Sequence, residues 1–378
     1  MTPALATQHM ARALQLAELG RFSARPNPRV GCVIAHEDQV VGEGFHQRAG
    51  EPHAEIHALR MAGEKARGAD VFVSLEPCAH QGRTPPCVGS LIKAGVKRVW
   101  AAVQDPNPQV SGKGLEQLRA AGIEIHLGLL QAEAILLNKG FISRMTRERP
   151  WVTLKLAASM DGRTAMASGE SKWISSEPAR ADVHRLRAEA GAVLTSSNTV
   201  IADDPELNVR VVPGYPIRDG SMLVLQPDRI VLDTSARVKP KAKVWAAGVR
   251  RFWITSPASL WAVSLATVNI KNNVDVMAVE DDEHGPISLH RALTVLALRE
   301  VNHVLVECGP KLAGAFLKAR LVDEVVLYMA ASMLGHEARA LANMPGMSLL
   351  KDRLLFRYTD VRMVGPDIRI TAVPEFAS

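Results

Sequence analysis

The chain has 378 residues, 47% of them hydrophobic and 22% charged, with a formal net charge of +6. That length suggests two domains of an ordinary globular protein. No apolar run approaches the roughly 20 residues of a membrane span, and so modest a positive surplus suits phosphorylated small substrates or plain solubility as well as nucleic acid.

The opening MTPALATQHMAR has no charged stretch followed by an apolar core, so no secretion signal is expected. Only four cysteines occur, which fits a reducing cytoplasm. Residues 7–21 read as an amphipathic helix, with Met10, Leu14 and Leu16 spaced for burial. In SARPNPRVGCVIAH two prolines flank Asn27, which sits in a rigid extended turn ahead of a strand over 30–35. A turn asparagine ordinarily serves its own backbone; beside a base-binding pocket its amide could also read a pyrimidine edge. A second strand, 39–45, leads to His46 and then to a helix from His53 to about Arg67, opened by Pro52.

VFVSLEP is a short buried strand, PPCVGSLIKAG opens a helix, and VKRVWAAV is a strand. GLEQLRAAG and IEIHLG add one more helix and strand. That order predicts an α/β layered sandwich with a largely parallel far side. Between them QDPNPQVSGKG is a turn-rich loop at a strand's carboxyl end, where open α/β sheets bind ligands; Asp105 and Asn107 read there as turn formers. Residues 130–147 read as one helix. RERPW then breaks the pattern, placing the boundary between a first domain, 1–148, and a second, 149–378.

The second half restarts with strand WVTLKLAAS and turn MDGRTA. SGESKWISS precedes a helix, EPARADVHRLRAEA. Then AVLTSSNTVIADDPELNVR reads as strand, short connection and acidic loop. Strands RIVLDTSARV and RRFWITS, helix ISLHRALTVLALRE and strand NHVLVEC follow. The last runs into Glu307-Cys308-Gly309-Pro310 and a helix carrying Gly314. Small residues at such a corner let backbone N–H groups approach a phosphate, although a corner glycine more often serves the turn. Glu307 is the sharper signal, since a carboxylate ending an apolar run usually has a partner. Cys32 and Cys308 lie in apolar runs and read as buried free thiols.

The chemistry concentrates between Pro52 and Cys87. PHAEIHALR supplies His53 and, two residues on, Glu55; LEPCAHQGRTPPC supplies Cys78 and Cys87. One imidazole and two thiolates suit tetrahedral Zn²⁺ with an open fourth position, where a water can lose a proton near pH 7. Glu55 is placed to carry that proton without ligating. His-x-Glu with Pro-Cys is the signature of zinc nucleobase deaminases. HAEIH is not the metalloprotease motif, because Ala54 stands where its glutamate belongs. A closed structural zinc site with His57 or His80 as fourth ligand is the bland alternative; it leaves Glu55 without a role. Eight residues separate the two cysteines in place of the usual two, and the longer loop, with His80, Arg83 and Thr84, reads as a substrate-contacting insertion.

PNPRVGCVI, GFHQRAGEPHAE, LEPCAHQGRTPPC, QDPNPQVSGKG, LNKGF, KLAASMDGRTAMASGESKWISS, SSNTVIADDPELNVR and VECGPKLAGAFL together closely resemble the bacterial bifunctional riboflavin-biosynthesis deaminase-reductases, over essentially the whole chain. The resemblance implies a two-domain α/β protein, an N-terminal cytidine-deaminase-like α/β/α sandwich and a C-terminal dihydrofolate-reductase-like α/β domain. By that likeness His53, Cys78 and Cys87 would bind one zinc, Glu55 would be the proton shuttle, and Asn27, His46, His80 and Arg83 would meet the deaminase substrate. The second half would use NADPH. Ala157, Trp173, Thr199, Asp203 and Thr234 would line it, and Gly309, Pro310, Lys311, Leu312, Ala313, Gly314 and Ala315 would cradle its phosphates. Ser171, Arg187, Leu207, Arg210 and Glu307 would meet the reductase substrate. Lys155 shares a strand face with Ala157 and is a further candidate there.

The likeness also implies a cytoplasmic homo-oligomer, dimer or tetramer, acting on phosphorylated pyrimidines, with no nucleic acid or membrane partner. Against it stands a zinc-dependent nucleic-acid deaminase whose basic C-terminal half grips tRNA. Such an enzyme would have the shorter cysteine spacing and more than 4% aromatic residues for stacking unpaired bases. A non-catalytic zinc module would leave Glu55 and Glu307 unexplained.

Overall fold

A threonine and a proline start the first helix. The Thr2 hydroxyl accepts from the Leu5 N–H at the head of α1 (Pro3–Glu18), satisfying one of the amides that a helix start leaves unpaired. The computed structural model describes every residue except 80–84, 109, 215–223, 269, 271–273, 284 and 376–378. Its chain divides into two compact units, Met1–Glu148 and Arg149–Ser378.

In the first unit α1 lies on β1 (Gly31–His36) so closely that a Cβ on Gly31 would meet the Ala13 carbonyl oxygen at 2.0 Å. β2 (Gln39–Phe45) pairs antiparallel with β1 and carries α2 (Ala54–Ala62) equally close: a Cβ on Gly44 would meet the Ala54 carbonyl oxygen at 2.4 Å. Gly44 brings the start of α2 down onto the sheet. β3 (Asp70–Val73), α3 (Cys87–Ala94), β4 (Arg98–Ala101), α4 (Lys113–Ala120) and β5 (Glu124–Leu127) complete a sheet in the order β2-β1-β3-β4-β5. Its far side, β3-β4-β5, is parallel.

Strand alternation sends neighbouring residues into opposite cores. Cys32, Ile34, Val71 and Val99 pack with Ala54, Leu91 and Leu118 on one face, while Val33 and Phe72 pack with Met10 and Ala134 on the other. Each fully buried leucine on these faces contributes about 1.5–3 kcal/mol.

Two expectations are corrected here. α2 stops at Ala62, where Gly63 turns to φ +57 and a single turn of tighter helix, Gly63–Ala66, follows. Pro52 lies outside it, because His53 is the cap residue. The single helix expected over 130–147 is two, α5 (Gln131–Leu137) and α6 (Lys139–Arg147). Asn138 interrupts them because its side chain is committed elsewhere: its Oδ1 accepts from the Arg29 N–H at 2.8 Å and its Nδ2 donates to the Arg29 carbonyl at 2.9 Å.

The second unit begins with β6 (Trp151–Ser159), β7 (Arg163–Ala165), α7 (Glu177–Ala190) and β8 (Ala192–Ser196). Next come α8 (Ser197–Asp203), β9 (Asp228–Leu232), β10 (Arg251–Thr255), α9 (Leu260–Thr267) and β11 (Asp275–Ala278). α10 (Leu289–Leu298), β12 (His303–Glu307), α11 (Pro310–Lys318), β13 (Glu324–Ala330) and β14 (Arg339–Ala340) follow. A hairpin, β15 (Leu355–Val364) and β16 (Asp367–Glu375), ends it.

The main sheet runs β11-β10-β9-β8-β12-β6-β13-β16-β15. From β11 to β13 every pairing is parallel, and only the hairpin is antiparallel. Seven carboxyl ends therefore share one edge, where open α/β sheets bind ligands. One face buries Val152, Leu154, Ile230 and Val306 under α10 and α11. The other buries Val193, Val231 and Trp253.

α8 replaces the short connection expected after β8. The Ser196 hydroxyl caps it through the Thr199 N–H, a start signal hidden in a run of polar residues. α9 and the closing hairpin are unforeseen by pattern. α9 is apolar all round, with Val263 its one buried residue, so it has no stripe to read.

Candidate active sites

Three chain ends converge in the first unit. His53 caps α2 in an extended conformation (φ −74°, ψ 167°), Cys87 is the first residue of α3, and Cys78 follows the turn after β3. His53 Nδ1 lies 3.5 Å from Cys78 Sγ and 3.3 Å from Cys87 Sγ. All three donor atoms fall within 4.8 Å of one another. Donors about 2.0–2.3 Å from a tetrahedral zinc are spaced in this way. Both helices present their positive ends here, which favours thiolates. The two sulfurs compete for one proton: hydrogen bonding from Cys87, with a further bond from His53, draws Cys78 down to about 4. His57 does not join the donor group.

Glu55, in the first turn of α2, is 3% exposed. Its Oε2 has no hydrogen-bond partner among the described residues. Burial raises its carboxyl above the ordinary range. An orphaned carboxylate oxygen beside a three-donor group with an open fourth position is the feature a zinc-activated water would satisfy, so the residues present fit the metal.

His46 and Asn27 stand together beside this group. The Asn27 amide nitrogen lies 3.0 Å from His46 Nε2, and His46 Nδ1 lies 3.3 Å from the Pro52 carbonyl. With Nδ1–H donating to Pro52, Nε2 accepts from Asn27 and fixes the amide's orientation. The His46 ring meets the His53 ring edge to face at 5.2 Å, and burial holds His46 below its ordinary value. His80 and Arg83 lie outside the described residues.

Two further groups support the site. Glu76, buried two residues before Cys78, accepts from the N–H groups of Asp105, Gly112, Gly114 and Leu115 at 2.9–3.3 Å. It ties the 105–112 loop and the head of α4 to the strand end that carries Cys78. Gly114 lets them meet, since a Cβ there would lie 2.0 Å from the Pro77 carbonyl oxygen. Asp105, expected as a turn former, does accept from the Asn107 N–H at 2.8 Å. It is also buried, and burial pushes its carboxyl up to about 6. The rule that marked Glu307, a carboxylate ending an apolar run, would equally have found Glu76.

In the second unit Lys155 and Glu307 are register partners on adjacent strands, β6 and β12. The Glu307 carboxylate accepts from Arg187 Nε at 2.6 Å and Nη2 at 3.0 Å. Arg187 Nη1 donates to the Asn208 carbonyl at 2.9 Å. Burial alone would push Glu307 up, but Arg187 holds it below the ordinary range; burial pulls Lys155 down, and Glu307 opposes that. Arg187 is thus engaged by a carboxylate, and the cluster as a whole keeps one surplus positive charge. Leu207 is buried, at φ +52, beside the Asn208 carbonyl that Arg187 meets. Arg210 is exposed, held 3.1 Å from Asn208 Oδ1 and 3.6 Å from Glu206.

The other candidates come from several separate segments of the second unit. Ala157 lies two residues beyond Lys155 on β6. Trp173 is 72% exposed, with the Arg180 guanidinium 4.3 Å from its ring centre; Ser171 is exposed near it in sequence. Thr199 Oγ1 lies 3.2 Å from Ser196 Oγ, Asp203 is exposed at the end of α8, and the Thr234 carbonyl accepts from Ser256 at 2.9 Å.

The run from Gly309 to Ala315 divides in two. Gly309 caps α11, and a Cβ there would meet nothing within 4 Å. The following Pro310 has no N–H to waste, and the amides of Lys311 and Leu312 head the helix; this open corner fits a nucleotide phosphate. Ala313 is fully buried, Leu312 and Ala315 pack against the core, and a Cβ on Gly314 would lie 1.9 Å from the Asn343 carbonyl oxygen. Gly314 serves packing.

A family model described as the cytidine and deoxycytidylate deaminase zinc-binding region matches residues 4–103, and one described as the RibD C-terminal domain matches residues 150–370. The chain is 49% identical over 368 residues to the riboflavin biosynthesis protein RibD of Escherichia coli (strain K12), covering 95% of this chain and 97% of that protein. It is 45% identical over 371 residues to RibD of Haemophilus influenzae, covering 97% and 96%. Among solved structures, Acinetobacter baumannii RibD aligns with a TM-score of 0.90 at 42% identity over 99% of both chains. A diaminohydroxyphosphoribosylaminopyrimidine deaminase/5-amino-6-(5-phosphoribosylamino)uracil reductase of Thermotoga maritima aligns with 0.83 at 31% identity, over 98% of this chain and 99% of that one.

Proposed function

The chain belongs to the RibD family of riboflavin-biosynthesis enzymes, and from that premise we propose how its two sites divide the work. It is a bifunctional enzyme, a zinc-dependent aminohydrolase and an NADPH-dependent oxidoreductase. It converts 2,5-diamino-6-(5-phosphoribosylamino)pyrimidin-4(3H)-one to 5-amino-6-(5-phosphoribosylamino)uracil, then reduces the ribosyl group to ribityl. The first unit is cytidine-deaminase-like and the second dihydrofolate-reductase-like. The observation that carries the reading is the His53, Cys78 and Cys87 group beside the buried Glu55, whose Oε2 has no hydrogen-bond partner among the described residues.

Residues 1–148 deaminate and residues 149–378 reduce, a division supported by the two compact units and by the spans of the two family models. His53 Nδ1 and the two sulfurs would hold the zinc, which supplies a water acidic enough to lose its proton near neutral pH. Glu55 takes that proton and gives it to the ring nitrogen, then takes the second proton, from the hydroxyl added to the ring carbon, and gives it to the amine, which leaves as ammonia. Asn27, oriented by His46, reads the pyrimidine edge. His80 and Arg83 are candidates for the ribose phosphate.

NADPH would supply a hydride to C1′ of the ring-opened sugar. Gly309 and the head of α11 hold the cofactor's phosphates, and Ala157, Trp173, Thr199, Asp203 and Thr234 line the rest. Lys155 and Glu307 face the sugar from adjacent strands, with Ser171, Leu207 and Arg210 around them. Arg187 keeps Glu307 ionised, and the surplus positive charge suits a phosphorylated substrate.

Nothing favours a tRNA deaminase, since residues 150–370 match a reductase domain. We read the protein as a cytoplasmic homo-oligomer, a dimer or tetramer, without nucleic-acid or membrane partners. Among the described residues no helix is long and apolar enough to cross a membrane.

The test is zinc content together with consumption of the diaminopyrimidine nucleotide, with and without NADPH. One zinc per chain is expected, with ammonia released in both cases and the ribityl product formed only with NADPH. Active protein free of metal, or a product unaffected by NADPH, would overturn the corresponding half.

A further inference from the structure

The segment between α1 and β1 carries Asn27 to the deaminase site. Its backbone is stiff. Pro26 and Pro28 flank Asn27; a proline ring fixes its own φ, and a residue ahead of proline is biased to extended backbone. The Asn27 N–H donates to the Ala24 carbonyl at 3.1 Å. Where Asn27 stands therefore depends on what holds Arg29, on the far side of Pro28.

β1 begins at Gly31, where Ser74 serves both backbone groups. The Ser74 hydroxyl accepts from the Gly31 N–H, and the Ser74 N–H donates to the Gly31 carbonyl, each at 3.1 Å. Arg29 lies two residues earlier, outside the pairing of β1 with β2 and β3. There the Asn138 side chain takes the same part. Its Oδ1 accepts from the Arg29 N–H at 2.8 Å and its Nδ2 donates to the Arg29 carbonyl at 2.9 Å. One side-chain amide continues the ladder where the strands end.

Asn138 forgoes a nearer use to do this. It stands at the cap position of α6, where asparagine is among the preferred residues, yet its side chain makes no capping bond. It is 4% exposed. On either side of it Ala134 of α5 and Phe141 of α6 are buried in the core with Met10, Val33 and Phe72, so the anchor is rigid. A residue that served only to join two helices would spend its side chain on the cap.

We propose that Asn138 is a positioning residue for deamination: it fixes the backbone from which Asn27 reaches the pyrimidine, as His46 fixes the Asn27 amide itself. It is not among the zinc donors and acts through Asn27. This rests on the reading of Asn27 as the pyrimidine contact.

The experiment compares full-length wild type with Asn138→Asp, Asn138→Ala, Asn27→Ala and the double variant Asn27→Ala with Asn138→Asp. Asn138→Asp keeps the shape but loses the donor and sets a carboxylate oxygen against the Arg29 carbonyl. Ammonia release gives kcat and KM for the diaminopyrimidine nucleotide, and metal analysis gives zinc content. Asn138→Asp and Asn138→Ala are each expected to raise KM about tenfold, the worth of one or two neutral hydrogen bonds. kcat moves little, because binding common to substrate and transition state is what is lost. Zinc content and NADPH oxidation stay at the wild-type level, which shows that both units are folded. The double variant is no worse than Asn27→Ala alone, since a residue acting through Asn27 has nothing left to position. Asn138→Gln, whose amide sits one methylene further out, gives a smaller rise and serves if the other variants do not fold. A lowered melting temperature at unchanged KM, losses that multiply in the double variant, or zinc lost with the activity overturns the proposal and leaves Asn138 as a joint between helices. Asn27→Ala at unchanged KM removes the reading of Asn27 beneath it, and the proposal with it.

Discussion

Replacing Glu307 by glutamine removes one charge from a buried cluster of three. The Glu307 and Arg187 side chains are 13% and 14% exposed and joined by two hydrogen bonds, of 2.6 and 3.0 Å. Lys155 faces Glu307 across the β6–β12 pairing. Without the carboxylate, two cations remain with nothing to balance them. Breaking a buried pair from one side costs about 3–5 kcal/mol. At roughly 2–4 °C per kcal/mol for a unit of this size, melting falls by about 6–20 °C. Lys155 can relieve part of this by releasing its proton, since burial already pulls its pKa down, so the smaller half of the range is expected near neutral pH. Calorimetric melting of the full-length protein measures the shift. NADPH oxidation is lost in the same variant, and ammonia release by the first unit persists. Replacing both partners, Arg187→Met with Glu307→Leu, recovers much of the stability and none of the reduction. A single variant melting within about 2 °C of wild type would refute the reasoning, because the pair would then be no more than a surface contact.

Glu55→Gln keeps its zinc, by metal analysis, and loses about 10²–10⁴-fold in deamination, the worth of a positioned proton carrier; a near-normal rate would remove Glu55 from that role. Asp182 accepts from Tyr328 at 2.6 Å, Arg185 at 2.7 Å and Arg369 at 2.8 Å. Burial opposes its ionisation, but these partners hold its carboxyl down to about 2, below the ordinary 3.8. A lowered folded pKa means stability present above pH 3.8 and lost as pH falls from there towards about 2. An acid melt of Asp182→Asn lacks that step, and an unchanged profile would dismiss the contribution. Gly114→Ala pushes a Cβ against the Pro77 carbonyl, next to Cys78. It should cost about 1–3 kcal/mol of stability and lower zinc occupancy while sparing NADPH oxidation; full zinc content at unchanged stability would show that the loop yields freely.

Chemistry written in near neighbours could be read from the chain alone. The zinc donors and Glu55 sit on two short segments whose residue types admit few uses, and α7 is bracketed by its own signals, the Ser176 cap at one end and Gly191 at φ +76 at the other. What depends on meetings between distant residues had to wait for the fold. Asn138 splits a helix only because Arg29, 109 positions away, occupies its side chain. Arg187 was a substrate contact by likeness alone; the fold gives it a buried partner as well, Glu307, 120 positions away. The close approach of Gly314 to the Asn343 carbonyl, likewise, joins residues far apart in the chain. Local sequence specifies which groups are available and which turns and caps are cheap. The order of strands in the sheet decides which of those groups become buried partners, because an interaction outweighs its desolvation only where the whole fold holds both members in place.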